Sequence, residues 1–581
     1  MYYNTHMEKR AYSQLNNSEN AKAADAIALA LEQCDIPSDL RIRYSYLVEE
    51  ALLKWREKLP SDAVFTARRY EDKSNVKFTF TVVGDMVDPL YETQTDDPVE
   101  KLVSMLKSGT GSEVTYKYKK PTRKNVLSIV IPKKRAEEKL FNREVWTNAS
   151  FTITQTLLMS FATIADTIML GFLDTNSMSA AGLISSFSAL FTAIFVALAN
   201  ATTIHISRAW GRRDIGQLHE IFTVVIKCGV ILGAIVGAAT FLFTPQIMSF
   251  YTNIPGIAAE GEIYLKILSL HYLFLGFSQV AFAVLRNLGK VRYTSIWVII
   301  SQLLNIALNA VLIFGLFGAP AMGIKGAAIS TVISSAVLVI VAAIGWTRER
   351  FLRLSIKEFL APHRESFADF IKTALPLIFQ TAIYNVARNV IASIFGHLSA
   401  DIVAANSIRD TASLIFSSAK SGYADVAGVK MGQVLGRGKI DQAKRYSGYI
   451  LKNAVRIGVA VGVLVLASIP LFTLIYSGQT EGTLYYMKIM FIILAIYMVF
   501  SSMCHILVCS VLLVAKDVKP IVITDAVVLW GIIVPLGLLG LYVFDWPAMV
   551  MIIILNLDQV IAFSSYLIRY KTGKWLEKSS N

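Results

Sequence analysis

From about Trp146 to the end of the chain, apolar runs of twenty or more residues recur, separated by short polar breaks. Each run is long enough to cross a hydrocarbon core of ~30 Å at ~1.5 Å per helical residue. Inside lipid every backbone polar group must find its partner within the protein, so such runs fold as helices. Twelve spans are expected, near 147–173, 180–207, 219–243, 262–285, 293–316, 323–346, 366–395, 400–428, 446–470, 484–514, 519–541 and 547–569. Composition agrees, with 17% charged residues in 581, against about 25% in soluble proteins. The first ~140 residues lack this bias and read as a separate soluble domain of ordinary size.

The connecting loops set the orientation. Alternate loops are basic: Arg208, Arg212 and Arg213; Arg286, Lys290 and Arg292; Arg348, Arg350, Arg353 and Lys357; Arg437, Lys439, Lys444 and Arg445; Lys516 and Lys519; then Arg569, Lys571 and Lys574. The intervening loops are nearly free of positive charge, Lys325 being the main exception. An even span count with both termini in the cytoplasm gives this alternation. The net charge of +14 is thus accounted for by topology, and no nucleic-acid partner is expected. The four cysteines show neither metal spacing nor a disulfide framework, which suits a reducing cytoplasm or burial in lipid. The polar N-terminus predicts no signal peptide.

The two membrane halves repeat at an offset of about 225 residues, the mark of a transporter built from internal repeats. Trp210-Gly211-Arg212-Arg213-Asp214 follows the second span and Leu435-Gly436-Arg437-Gly438-Lys439 the eighth. Gly289-Lys290-Val291-Arg292 follows the fourth and Lys516-Asp517-Val518-Lys519 the tenth. Six spans per half give both halves the same orientation, a parallel repeat with a cavity between two bundles. The expected fold class is therefore an α-helical polytopic membrane protein. It has twelve transmembrane helices in two six-helix lobes, preceded by a small α/β two-layer soluble domain. The domains run 1–135 (cytoplasmic), 136–146 (charged linker), 147–346 (N-terminal lobe), 347–365 (linker between lobes), 366–570 (C-terminal lobe) and 571–581 (cytoplasmic tail).

Several segments together resemble the multidrug and toxic compound extrusion (MATE) family over roughly residues 140–577. They are Asp166-Thr167-Ile168-Met169-Leu170-Gly171 in the first span, the Gly-Arg-Arg-Asp loop, Leu285 to Lys290, Leu304 to Asn309 with Ile313-Phe314-Gly315, Gly323 to Ala328, and Gly432 to Gly436. The resemblance implies a secondary antiporter, not an enzyme. It would export small organic solutes or drugs in exchange for H⁺ or Na⁺ as two lobes rock, with no cofactor, in a bacterial cytoplasmic membrane. It also implies that Asp166, Asn305 and Asn309 line the cation-coupling site.

The residues support that placement. A carboxylate inside a span is costly and commonly serves an ion path. Asn305 and Asn309 lie four apart on one helix face. The three side chains could offer oxygens to Na⁺ or a protonatable group with hydrogen-bond partners; an interhelical clamp is the structural alternative. The second half lacks the acidic residues that some family members place in the seventh and tenth spans, carrying Tyr384 and Ser502 instead. It has Arg388, Arg409, Asp410, Lys420, Asp425, Asp525 and Asp558. Arg388 with Asp410 reads as an intramembrane ion pair, and Arg388, Asp410 and Tyr384 form a candidate polar site. Positive charge on the cavity would point away from a simple cationic substrate.

In the soluble domain, Leu40, Tyr44, Leu47, Val48, Ala51, Leu52 and Trp55 keep helical spacing, after a helical run over Ala21 to Cys34. Val76 to Val82, Val114 to Tyr118 and Val126 to Ile131 read as strands, with a short helix over Val99 to Leu106. This order, with Val48-Glu49-Glu50-Ala51-Leu52, resembles a GHKL-type ATPase domain. Lys54 stands where that family has a Mg²⁺-binding Asn. Gly84-Asp85-Met86-Val87-Asp88-Pro89 and Ser108-Gly109-Thr110-Gly111-Ser112 replace its glycine boxes. The expectation is a degenerate, non-hydrolysing regulatory domain, with Glu50, Lys54, Asp85 and Asp88 as its nucleotide or regulatory site and a nucleotide or a cytoplasmic protein as its partner. Two other functions fit the span plan: a flippase for a lipid-linked or polysaccharide precursor, and a membrane sensor signalling through the N-terminal domain. No Walker motif, zinc-hydrolase motif or nucleophile elbow is present, so ATP-driven pumping has no support.

Overall fold

The computed structural model describes residues 8–12, 17–33, 36, 38–60, 63, 65–71, 75–90, 102–103, 106, 112–173, 175–349, 359 and 363–577. It divides into two compact units, Met1–Glu144 and Val145–Asn581. The glycine-rich stretch 108–111, most of the short helix expected over 99–106 and most of the 347–365 linker lie outside the described residues.

The first unit is a five-stranded antiparallel sheet in the order β1-β2-β3-β5-β4, packed against two helices. Its elements are β1 (Glu8–Tyr12), α1 (Asn17–Gln33), α2 (Ser38–Lys58), β2 (Phe65–Glu71), β3 (Asn75–Val83), β4 (Glu113–Lys119) and β5 (Lys124–Pro132). The apolar stripe read on α2 is buried in full, Trp55 included. It packs on the alternate residues Val76, Phe78, Phe80 and Val82 of β3 and Leu127, Ile129 and Ile131 of β5. Each such side chain contributes about 1.5–3 kcal/mol on burial. β1 and β2 were not expected from the sequence. Their segments, EKRAY and FTARRYE, lack the apolar alternation that marks a half-buried strand.

The second unit is helical. Its first span is one helix, Lys133–Gly171. The charged linker expected over 136–146 is therefore helical, because no Pro or Gly interrupts the run before Gly171. The remaining spans are Thr175–Arg212, Ile215–Leu242, Pro255–Asn287, Val291–Phe314, Ile324–Thr347, Arg364–Gly396, Ala400–Gly436, Ile440–Ile475, Glu481–Leu512, Val518–Tyr542 and Ala548–Lys571. Among the described residues ten of these helices are long and apolar enough to cross a membrane. The other two are the seventh and eighth, which carry Arg388, Arg409, Asp410, Lys420 and Asp425. The tenth and eleventh spans contain π turns at Val508–Leu512 and Val527–Ile533, a feature frequent at functional sites. The twelfth breaks at Leu555–Leu557, so Asp558 opens its second half, where a helix N-terminus favours negative charge. Large side chains such as Ile235, Ile340, Leu464 and Ile496 stay more than half exposed, as a lipid-facing surface requires.

The repeat is visible where the lobes meet. The second and eighth spans cross so closely that a Cβ on Gly436 would strike the Arg208 carbonyl and one on Gly211 the Gln433 carbonyl. The two contacts are copies of each other at the offset that relates the halves. Around them, Arg208 Nε donates to Val514 O at 3.2 Å and Gln433 Nε2 to Asn287 O at 2.9 Å. Arg286 lies 3.8 Å from Asp425, and His205 Nε2 is 3.1 Å from Thr373 Oγ1. These contacts sit toward the ends that carry the basic loops. Midway along the spans Ser160 Oγ reaches Leu414 O at 3.4 Å; beyond it, at the opposite ends, no hydrogen bond or ion pair among the described residues joins the lobes.

Candidate functional site

The N-terminal lobe places all three expected residues in one cluster. Asn309 Nδ2 donates to Asp166 Oδ1 at 2.5 Å and lies 3.4 Å from Asn305 Oδ1. The four-residue spacing sets both amides on one face of the helix, where Asn309 reaches the first span and Asn305 the sixth. The sixth span completes the cluster: Ser330 Oγ donates to Asn309 Oδ1, and Asn305 Nδ2 reaches Thr331 Oγ1 at 3.4 Å. Asn305 and Asn309 are buried, whereas Asp166 is half-buried. The carboxylate thus has a protein side and an accessible side, as an ion-exchanging group needs. Beside the cluster, His271 Nδ1 lies 2.6 Å from Ser335 Oγ. Ser330 and Thr331 were not read from the sequence, because a hydroxyl in a span more often bonds its own helix. Both do so as well, to Ala327 O.

The C-terminal lobe differs from expectation. Asp410 pairs with Arg409, its neighbour on the same helix, at 3.3 Å. Asn406 bonds both, donating to Asp410 and accepting from Arg409 at 3.0 Å. The Arg388–Asp410 ion pair therefore does not form. Arg388 Nη1 is buried without a hydrogen-bond partner among the described residues, as are Asp558 Oδ1 and Ser502 Oγ. Asp410 and Asp558 act on Arg388 through space. Tyr384 instead lines a cavity of about 260 Å³ with Gln380, Lys420, Ser501, Asp525 and Tyr566. Asp525 accepts from Gln380 Nε2 and Tyr566 OH, each at 2.5 Å, and Lys420 Nζ donates to Ser501 Oγ. Ala197 and Asn200 of the second span close its wall.

A family model described as MatE matches residues 152–311 and again 376–539, more than half of the chain and once per lobe. The chain belongs to the MatE family. Among its relatives are an uncharacterized transporter, YisQ, of Bacillus subtilis, 23% identical over 72% of this chain and 92% of the relative. A probable multidrug resistance protein, NorM, of Bacillus thuringiensis is 30% identical over 53% of this chain and 68% of the relative. Solved structures with this fold include a MOP superfamily transporter from Pyrococcus furiosus, described as having a binding pocket of reversed polarity. Its TM-score is 0.68 at 16% identity, over 75% of this chain and 97% of that one. The Vibrio cholerae MATE transporter VcmN in its bent form gives 0.68 at 17% identity, over 76% and 98%. As a MatE protein the chain is a membrane transporter and not an enzyme.

The MatE matches leave the first unit uncovered. There Glu50, Asp85 and Asp88 each bond to a different partner. Glu50 bonds Tyr46 on its own helix, Asp85 pairs with Arg123, and Asp88 Oδ1 caps the Leu90 amide at 2.9 Å. Lys54 lies half-buried on α2. The Gly84–Pro89 loop is tied inward. Asn125, fully buried, accepts from Val87 N at 2.9 Å and Tyr116 OH at 2.6 Å and donates to Asp85 O at 2.8 Å; Trp55 Nε1 donates to Val87 O at 2.9 Å. A phosphate-cradling loop turns its amides outward to the ligand; this one spends the Val87 amide on its own core. Asn125 was missed because a lone Asn inside a strand carries no pattern.

Proposed function

We propose that this MatE protein is a secondary antiporter that exports small organic solutes or drugs in exchange for an inward-moving cation, H⁺ or Na⁺. The observation that carries the proposal is the Asp166–Asn309–Ser330 chain of hydrogen bonds in the N-terminal lobe, with the carboxylate itself half-buried. Ion exchange at that carboxylate would change which side chains hold the first, fifth and sixth spans together. The lobe would then rock against its partner about the second and eighth spans, closing one face as the other opens. The amide hydrogens of Asn309 point at Asp166 and favour its ionised form; direct Na⁺ coordination would call for amide oxygens in that place. The multidrug resistance relatives support a drug-like or organic solute. The alternation of basic loops supports a multi-pass protein of the bacterial cytoplasmic membrane with both termini in the cytoplasm. The first unit serves as a regulatory domain, which a cytoplasmic partner or nucleotide would bind.

The test is flux through purified full-length protein in sealed vesicles, with proton and sodium gradients imposed separately. Efflux of a small organic solute that follows one gradient and stops when it is collapsed is expected. Efflux indifferent to both gradients would remove the antiport reading.

A further inference from the structure

We infer that the C-terminal cavity binds a small zwitterion, its carboxylate on Lys420 and its protonated amine on Asp525. The inference rests on the transporter reading and names a substrate class for it.

The starting point is charge accounting in a low-dielectric region. The polar groups of this lobe include three cations, Arg388, Arg409 and Lys420, and three carboxylates, Asp525, Asp558 and the exposed Asp410. Arg409 and Asp410 pair directly. Asp558 lies within electrostatic range of Arg388, Arg409 and Lys420, but it does not line the cavity. Lys420 and Asp525 do line it. Their bonded partners are neutral: Ser501 for Lys420, Gln380 and Tyr566 for Asp525. Neither has an ion pair among the described residues. An ammonium has three donors, and Ser501 takes one.

Two opposite charges, each held by neutral hydrogen-bond partners, thus face one cavity without meeting. Both are half-buried, and a charge that gives up part of its hydration without an oppositely charged partner is costly. A ligand bearing both complementary charges would offset both costs together; a cation or an anion would relieve one. The hydrogen bonds from Gln380 and Tyr566 fix the Asp525 carboxylate, so it needs little reordering on binding. At about 260 Å³ the cavity falls just below the range of about 300–1,000 Å³ usual for drug-sized ligands. The occupant is therefore a compact amino acid and not a large dye. Asn200 brings a polar group from the other lobe onto the same wall, so occupancy is coupled to how the lobes sit.

The experiment is calorimetric binding to purified full-length protein of three probes on one scaffold: 4-(aminomethyl)benzoate, its methyl ester and its N-acetyl derivative. These carry both charges, the positive alone and the negative alone. The zwitterion is expected to bind about tenfold or more tighter than either relative. Lys420→Gln should reduce it to the level of the ester, and Asp525→Asn to the level of the N-acetyl acid. If the ester or the acetylated acid equals the zwitterion on wild-type protein, or none of the three binds, the inference is overturned. So it is if well-folded variants keep the wild-type order. The wild-type ranking needs no variant, so a misfolded substitution does not shield the idea. Binding without gradient-driven flux would remove the antiporter reading and leave this one; flux of singly charged solutes alone would do the reverse.

Discussion

Asp166 accepts a hydrogen bond from Asn309, and Asn309 in turn accepts one from Ser330, so the state of one carboxylate is felt on three helices. Linkage then requires that a bound cation and a bound solute alter each other's affinity by the same factor, typically about 5–150-fold. Asp166→Asn keeps a side chain of the same shape but holds no exchangeable proton. Solute affinity measured across pH should vary by about tenfold in the wild type and be flat in the variant; a persisting pH dependence would move the coupling site elsewhere. In the first unit, burial and then the nearby Asp88 carboxylate push the Tyr116 hydroxyl up to about 12. An unfolded tyrosine ionises near pH 10. The folded form therefore disfavours the tyrosinate, and this contribution to stability, complete below about pH 10, is lost as pH rises toward about 12. Alkaline unfolding of this unit should begin in that window, and Tyr116→Phe should lower the pH sensitivity, as read from circular dichroism against pH.

At the scale of elements, buried periodic patterns were legible and reciprocal polar pairs were not. The α2 stripe and the strands β3 and β5 announce themselves because their apolar residues repeat at the helical and strand periods. The polar β1 and β2 carry no such signal. The span ends were readable from apolar length, but partner choice was not. Arg388 and Asp410 look like a pair by position, yet Asp410 bonds the arginine next to it, since only rotation about the helix axis decides which way each side chain points. Asp517 shows the same limit. It lies in a stretch that reads as a solvated basic loop, yet it is fully buried and bound by Arg569 Nε at 2.6 Å and Nη2 at 2.9 Å. That bidentate pair ties the turn before the eleventh span to the end of the twelfth. Arg569→Met removes the bidentate pair from a buried carboxylate and should cost about 3–5 kcal/mol, whereas Arg569→Met with Asp517→Leu should recover most of it. Thermal unfolding in detergent would check this. A double variant no more stable than the single one would mean that the pair holds the turn through geometry and not through charge.

At the scale of the whole membrane unit, the internal repeat was legible as two matching basic loops, and its physical reason appears only in three dimensions. Gly211 and Gly436 recur at the repeat offset because each lies under the backbone of the other span, on the carbonyls of Gln433 and Arg208. A side chain at either position would hold the basic ends of the lobes apart. The contact is reciprocal, so the two glycines should count equally. Overpacking of this kind costs about 1–3 kcal/mol. The cost falls on the arrangement closed at the basic face and not on one open there, so the population should move toward the open form by the corresponding factor. Asn200 lines the cavity between the closed ends and the opposite face, which makes it a reporter. In a chain with Cys34, Cys228, Cys504 and Cys509 replaced and Asn200→Cys added, an impermeant thiol reagent on the basic side should label faster after Gly436→Ala. Gly211→Ala should speed labelling by a similar factor, while labelling from the opposite side slows. A response to one glycine and not the other would show that the lobes do not close about a shared axis at this crossing.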